Sequence, residues 1–352
     1  MKPFNKEMID PGYYRNSTRK PDINNLLQVL RRKRPGRPTL FELFLNEPLA
    51  EKLAGPISDP IARNIESFHK AGYDYVTALP SNFAFPSGQH ATSEGAKTIS
   101  LSDGFCITDR ESFEDYQWME VGDSDFSALD AYAEQMPDGM KMMVVGPCGV
   151  LENVISLAGY ENLCMMLADD PELVQDLFDH VGSRLVQYYE KCVSHEAVGI
   201  QMINDDWGFK TQTMLSTDQM REYVVPWHKK IAEAGHRYGK PVVMHSCGNL
   251  ERVYDDIIDV IKFDGKHSYE DTIIPVEDAY ERYGGRIAIM GGIDVDFLCR
   301  SEPEKIYNRC TAMLERTRNG GYALGSGNSV PYYVPHENYY AMIAAAHFNV
   351  YD

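Results

Sequence analysis

The chain is short of positive charge. Its 34 lysines and arginines stand against 52 aspartates and glutamates, a net charge of −18 over 352 residues. A surface of that sign repels phosphate backbones and anionic lipid, so neither nucleic acid nor a membrane is expected as a partner. Long hydrophobic runs are missing as well, and no segment approaches the ~18 apolar residues a membrane span needs. There is no Gly-x-Gly-x-x-Gly fingerprint and no Walker loop, which removes the usual sequence signs of a dinucleotide or a nucleoside triphosphate. No Ser- or Gly-rich linker divides the sequence. Cysteine occurs, but not in a disulfide pattern: the seven, at 106, 148, 164, 192, 247, 299 and 310, are odd in number and scattered, with no signal peptide ahead of them. Reduced thiols and a cytoplasmic location are the expectation.

What is present is ordinary for a globular fold: 43% hydrophobic and 24% charged residues, enough for one large α/β barrel or for two domains. The basic run Arg31-Arg32-Lys33-Arg34 precedes a Pro-Gly turn and reads as a solvated surface. Residues 1–24 are polar and read as an irregular arm, and 1–37 as an N-terminal extension of a barrel over 38–352. From there strands and helices alternate. Apolar runs predict strands over 39–44, 75–79, 141–145, 199–203, 241–245, 262–265, 286–290 and 321–324. Between them lie helical spacings with start signals: Asp170-Pro171, and capping boxes at Ser216-Thr217-Asp218-Gln219 and Ser301-Glu302-Pro303-Glu304. A β-hairpin insertion is expected around 97–109. About eight strands alternating with helices is the pattern of a single (β/α)8 TIM barrel, with a doubly wound open sheet as the alternative. Polar clusters end nearly every strand in the second half, and a barrel brings such ends to one face.

The most informative of those ends is His245-Ser246-Cys247-Gly248-Asn249, after the apolar strand Pro241-Val242-Val243-Met244. Residues two apart on a strand point the same way, so the His245 imidazole and the Cys247 thiol lie side by side. Nitrogen with soft sulfur suits zinc; the same pair also suits a core histidine beside a core cysteine. The neighbouring ends offer Asp205 and Asp206, then His267 with Glu270 and Asp271, then Asp294, then Ser326 and Asn328. Such a ring could hold a metal and a polar organic ligand. Each member also has a plainer use: Asp205 or Asp206 in a cap, His267 in the core, Asp294 and Ser326 in tight turns. Cys310 and the methionines at 140–143 and 165–166 read as core, and Cys148 as core or turn.

His245-Ser246-Cys247-Gly248-Asn249, Gly291-Gly292-Ile293-Asp294 and Gly325-Ser326-Gly327-Asn328, followed by Val334-Pro335-His336-Glu337-Asn338-Tyr339, together look like the uroporphyrinogen decarboxylase superfamily. Asn204-Asp205-Asp206-Trp207-Gly208 resembles it too. The likeness covers roughly 38–348 and implies a (β/α)8 barrel. Its decarboxylase branch carries an Arg-Gln-Ala-Gly-Arg motif whose arginines bind substrate carboxylates. Here the matching stretch is Arg37-Pro38-Thr39-Leu40-Phe41-Glu42-Leu43-Phe44, without the arginine pair, and an anionic tetrapyrrole needs such cations. The resemblance is closer to the cobamide-dependent methyltransferases, which pass a methyl group from a corrinoid protein to a thiol or a related acceptor. Their zinc site is a His-x-Cys plus a cysteine in a Gly-Cys-Gly turn near the last strand. His245 and Cys247 match the first part; Ser326 stands in place of the last cysteine. His267 and Asp205 or Asp206 are then the nearest groups to complete the site. The resemblance implies zinc, a corrinoid supplied by a partner protein, and a thiol or tetrahydrofolate-type acceptor. Asp205, Asp206, His267 and Asp294 are the expected catalytic residues, and Asn249, Ser326 and Asn328 the expected cofactor contacts. Tetrapyrrole decarboxylation and a non-catalytic ligand-binding barrel are the alternatives.

Overall fold

The computed structural model describes residues 2–87 and 104–351. Seven strands form one parallel sheet in sequence order: β1 (Tyr75–Ala78), β2 (Lys141–Val145), β3 (Val198–Asn204), β4 (Val242–His245), β5 (Gly265–His267), β6 (Ala288–Met290) and β7 (Tyr322–Ala323). Helices cover the outside, so the strands are buried on both faces and their sequences run apolar without alternation. The first expected strand, 39–44, is reduced to a single parallel bridge between Leu40 and Leu324. Phe41 N–H donates to the Leu324 carbonyl and Leu324 N–H to the Thr39 carbonyl, both at 2.8 Å. Gly325 permits this approach, since a Cβ there would lie 1.6 Å from the Phe41 oxygen.

The curl is completed by a side chain. The Tyr75 hydroxyl accepts the Glu42 N–H and donates to the Glu42 carbonyl, each at 2.6 Å. Among the described residues no ladder pair joins this segment to β1. The result is a (β/α)8 TIM-barrel architecture, with the C-terminal strand ends gathered at one mouth.

Several local expectations hold for stated reasons. Asp170 accepts the Leu173 N–H at 2.9 Å and opens the helix Pro171–Val193. Ser216 and Gln219 form their capping box. The helix that follows widens into a π-turn over Met220–Val224, just before Pro226, which has no N–H to give. Arg31, Arg32, Lys33 and Arg34 are exposed, and Cys310 is buried. Cys148 sits in a turn at φ 62°.

Other expectations are corrected. The capping box at Ser301 is not made: the helix starts at Pro303 with Glu302 as an uncapped N-cap, because Ser301 ends the preceding helix, Val295–Arg300. The fifth strand begins at Gly265, not Lys262, because the preceding helical turn runs to Ile261 and Lys262 closes it at φ 68°. The arm is irregular only in part: it carries short helical turns at Lys6–Ile9 and Pro11–Arg15, and a helix follows at Asn24–Leu30. The cause lies at the other end of the chain. The closing helix, His336–Phe348, is buried all round from Asn338 to Ala346 and needs an outer cover. Tyr14 supplies part of it, stacking on Tyr340 at 5.0 Å while its hydroxyl donates to the Met8 carbonyl at 2.7 Å and lies 3.1 Å from the Tyr340 carbonyl. Of the hairpin expected at 97–109, residues 97–103 lie outside the described residues; 104–109 form no strand and lead into a capped helix, Arg110–Asp115. No helix among the described residues is long and apolar enough to cross a membrane.

Candidate metal centre

The ends of β3 and β4 meet in register, Asn204 opposite His245. Just past them, Asp206 Oδ1 accepts the Cys247 N–H at 2.7 Å. His245 Nε2 lies 3.7 Å from Cys247 Sγ and 3.9 Å from Asp206 Oδ1. The three possible ligand atoms all fall within 4.8 Å of one another. A tetrahedral zinc with bonds of 2.0–2.3 Å sets its ligand atoms about 3.3–3.8 Å apart, so the trio fits with small adjustments. His245 is buried, while Asp206 and Cys247 are partly open toward the mouth. That combination leaves a face for a further ligand.

The electrostatics fit a cation. Burial, with Asp206 beside it, pushes the Cys247 thiol up to about 12. Burial raises the Asp206 carboxyl above the usual range, and drives His245 well below its ordinary value. Two acids held against their charged forms, next to a neutral imidazole, are groups a divalent ion would reverse in favour of thiolate and carboxylate.

The histidine is oriented by its neighbours. β4 and β5 pair His245 with His267. His245 Nδ1 lies 2.8 Å from His267 Nδ1, and His267 Nε2 lies 3.0 Å from the Ser326 carbonyl. A carbonyl only accepts, so the hydrogen-bond network assigns a hydrogen to His267 Nε2 and a bare Nδ1. His245 Nδ1 then donates to it, and His245 Nε2 is left as a lone pair facing Asp206 and Cys247. Burial drives His267 down to about 3, which keeps this arrangement neutral. Gly291, at φ 64°, makes room: a Cβ there would lie 2.3 Å from the Ser326 oxygen and 2.9 Å from His267 Nε2.

The other expected residues take distinct places. Asn328 Nδ2 donates to Cys247 Sγ at 3.3 Å. Ser326 is fully buried and turns its Oγ to Glu42 Oε1, 2.6 Å away, and to the Asn328 carbonyl. Asp205 is fully buried and accepts from Leu151 N at 3.0 Å, Glu152 N at 2.8 Å, Trp207 Nε1 at 3.0 Å and His228 Nε2 at 2.7 Å. It thereby holds the N-terminus of the helix Val150–Ala158. Asp294 accepts from Phe297 N at 3.0 Å and Asp271 N at 2.8 Å, fixing the turn after β6. Asn249 Oδ1 accepts the Glu251 N–H at 3.1 Å.

Sequence reasoning missed Glu42, Ser268 and Lys266. Ser268 Oγ donates to Cys247 Sγ at 3.5 Å. Lys266 is buried, donates from Nζ to the Ser246 carbonyl at 3.1 Å and also to the Ser268 carbonyl, and is lowered to about 8 by burial. With Asn249, Ser268, Tyr254, Tyr269 and Ile274 it lines a cavity of about 290 Å³ beside the metal trio. Asp294 and Asn328 line a wider recess of about 770 Å³. The available signal was a charged residue inside an apolar run, at Glu42, and at Lys266 directly before a strand-end histidine.

A TIM barrel with His, Cys and Asp at its C-terminal mouth is the class that fold and site define. The profile of the uroporphyrinogen decarboxylase (URO-D) family matches residues 127–348, and the chain belongs to that family. It is 26% identical over 190 residues to a methylated-thiol–coenzyme M methyltransferase of Methanosarcina mazei, covering 54% of this chain and 48% of that protein. It is 24% identical over 192 residues to a uroporphyrinogen decarboxylase of Anaeromyxobacter dehalogenans, covering 54% of this chain and 52% of that protein. The chain thus spans about half the length of the curated relatives it matches. A solved structure of a methyltransferase from Methanosarcina mazei shares the fold, with a TM-score of 0.69 at 16% identity over 94% of this chain and 99% of that one.

Proposed function

We propose that the chain is a methyltransferase that moves a methyl group between a corrinoid, presented by a separate protein, and a thiol or tetrahydrofolate-type acceptor. The observation that carries the reading is the trio His245, Cys247 and Asp206, with the His245 lone pair turned into it. These residues would hold zinc, with Asp206 in place of the missing third thiolate. Bound there, zinc would hold a thiol acceptor as its thiolate, the reactive form.

The protein's own residues do the rest. Asp206 grips the Cys247 N–H and fixes the turn that presents the thiol. His267 orients His245. Asn328 and Ser268 hydrogen-bond Cys247 Sγ and favour its charged form. Lys266 and Asn249 offer the acceptor polar contacts in the adjoining cavity. Asp205 and Asp294 shape the mouth from behind. Decarboxylation of a tetrapyrrole would need free cations for its carboxylates. Arg37 instead pairs with Asp74 and donates to the Lys20 carbonyl at 2.9 Å, ahead of the Leu40 bridge.

The test is incubation with methylcobalamin and either a panel of thiols or tetrahydrofolate, followed spectrally for loss of the methyl–cobalt bond. Demethylation that depends on Cys247 is the expected result. Conversion of uroporphyrinogen to coproporphyrinogen, with no demethylation of any methylcobamide, would show the decarboxylase reading to be right.

A further inference from the structure

Ser326 Oγ touches two oxygens. Glu42 Oε1 lies 2.6 Å away on one side, and the Asn328 carbonyl closes on the other. A hydroxyl has one hydrogen to give, and a carbonyl can only accept. If Ser326 donates to Asn328, the contact with Glu42 needs a hydrogen from the carboxyl. The reverse arrangement would press a Ser326 lone pair against the Asn328 carbonyl. Glu42 Oε2 meanwhile accepts the Ser326 N–H at 3.2 Å. A carboxylic acid satisfies the whole set, one oxygen donating and the other accepting.

We propose that Glu42 is a positioning residue of the metal centre: as a neutral carboxylic acid it latches Ser326, and through Ser326 it orients both imidazoles and the Asn328 amide around Cys247. The proposal rests on the metal reading above. The latch has a rigid seat, because Tyr75 clasps both backbone polar groups of Glu42. It has two outputs. The Ser326 carbonyl receives His267 Nε2–H, which sets the order of hydrogens through His245. Asn328, its carbonyl held by Ser326, delivers its amide to Cys247 Sγ. Position 326 therefore serves the site by hydrogen bonds and not as a ligand.

The surroundings agree. Glu42 is fully buried, and burial pushes its carboxyl up to about 8. The titratable groups that face it are Tyr75, Tyr73 and Tyr339, each kept protonated by burial. The latch consequently holds at neutral pH and weakens as Glu42 ionises above about pH 8.

Two readouts test it: zinc affinity by chelator competition from neutral to alkaline pH, and imidazole tautomers of the metal-free protein by ¹⁵N NMR. Glu42→Gln keeps one donor and one acceptor but cannot ionise, so it should match the wild-type affinity at neutral pH and exceed it above about pH 8, where ionisation of Glu42 damps the wild type's rise with pH. Glu42→Ala should lower affinity about 10-fold or more, as loss of a ligand-orienting partner does, and should mix the His267 tautomers. Ser326→Ala should do the same, and serves if Glu42→Ala fails to fold. Glu42→Gln losing as much as Glu42→Ala would overturn the proposal, as would unchanged affinity and tautomers in both alanine variants. Tighter zinc in Ser326→Cys would also overturn it, because position 326 would then reach the ion. If the wild type binds no zinc but the tautomers shift as described, the metal reading fails and the latch stands.

Discussion

Replacing Asp205 by asparagine separates a structural aspartate from a chemical one. Asp205 and His228 are both fully shielded from solvent. Oδ2 accepts from Leu151 N, Trp207 Nε1 and His228 Nε2, and Oδ1 from Glu152 N. An amide must turn its NH2 toward one of these sets. The cheaper choice faces Glu152 N–H, which loses one bond and sets donor against donor, a cost of about 1–3 kcal/mol. The three remaining bonds also lose the help of a negative charge, and charge-assisted bonds are roughly twice as strong as neutral ones. A total near 3 kcal/mol is the expectation, or about 6 °C in Tm at about 2 °C per kcal/mol for a chain of this size. Thermal melting followed by circular dichroism measures it, and zinc content at low temperature is measured on the same samples. The folded variant should still bind zinc if the proposed trio holds it, because Asp205 is spent on Leu151, Glu152, Trp207 and His228 and is not among the proposed ligands. An Asp205→Asn protein that melts within about 1 °C of the wild type yet has lost its activity would refute this reasoning and return Asp205 to the chemistry.

Asp206→Asn keeps an acceptor for the Cys247 N–H but removes the charge, so zinc affinity should fall at least about 10-fold with little change in the metal-free Tm; equal affinity would remove Asp206 from the ligand set. Cys247→Ser should abolish stoichiometric zinc without unfolding the protein, as read by metal analysis after gel filtration. Because burial holds the Cys247 thiol near 12 without a cation, binding must expel its proton. Apparent affinity should therefore rise with pH across the neutral range, about tenfold per pH unit for each proton released, and a flat profile would rule out a thiolate ligand. Gly291→Ala forces a Cβ into a positive φ and against the Ser326 carbonyl, so a loss of about 2 kcal/mol or more is expected in denaturant titrations, with a shifted His267 ring signal.

Much of the fold was legible because strands buried on both faces read as unbroken apolar runs. The strand ends at His245 and Asp294 could be read for the same reason: polarity resumes abruptly where a strand leaves the core. Four things could not be read. Asp205 and Asp206 are adjacent at a strand end, where neighbours point to opposite sides; only coordinates tell which one faces His245. Ser301 and Glu304 carry a capping signature, but the chain spends Ser301 on ending one helix before Pro303 begins the next. Glu42 sits in an apolar run 284 residues from Ser326, and nothing local in either segment names the other. The arm's helical turns were hidden likewise, since their folding depends on the apolar outer face of the closing helix.

The seam of the barrel joins its earliest strand segment to its latest. Chains leave the ribosome N-terminus first, and their parts fold as they emerge. Asp206, His245 and Cys247 are therefore exposed on the nascent chain before Ser326 has been made. Glu42 waits for a further 284 residues to be made before its partner appears. A chain stalled ahead of residue 326 would carry all three proposed ligand groups but lack the carbonyl that accepts from His267. The order of translation thus makes the proposed latch the last part of this candidate site to be assembled, after Asp206, His245 and Cys247 have been made.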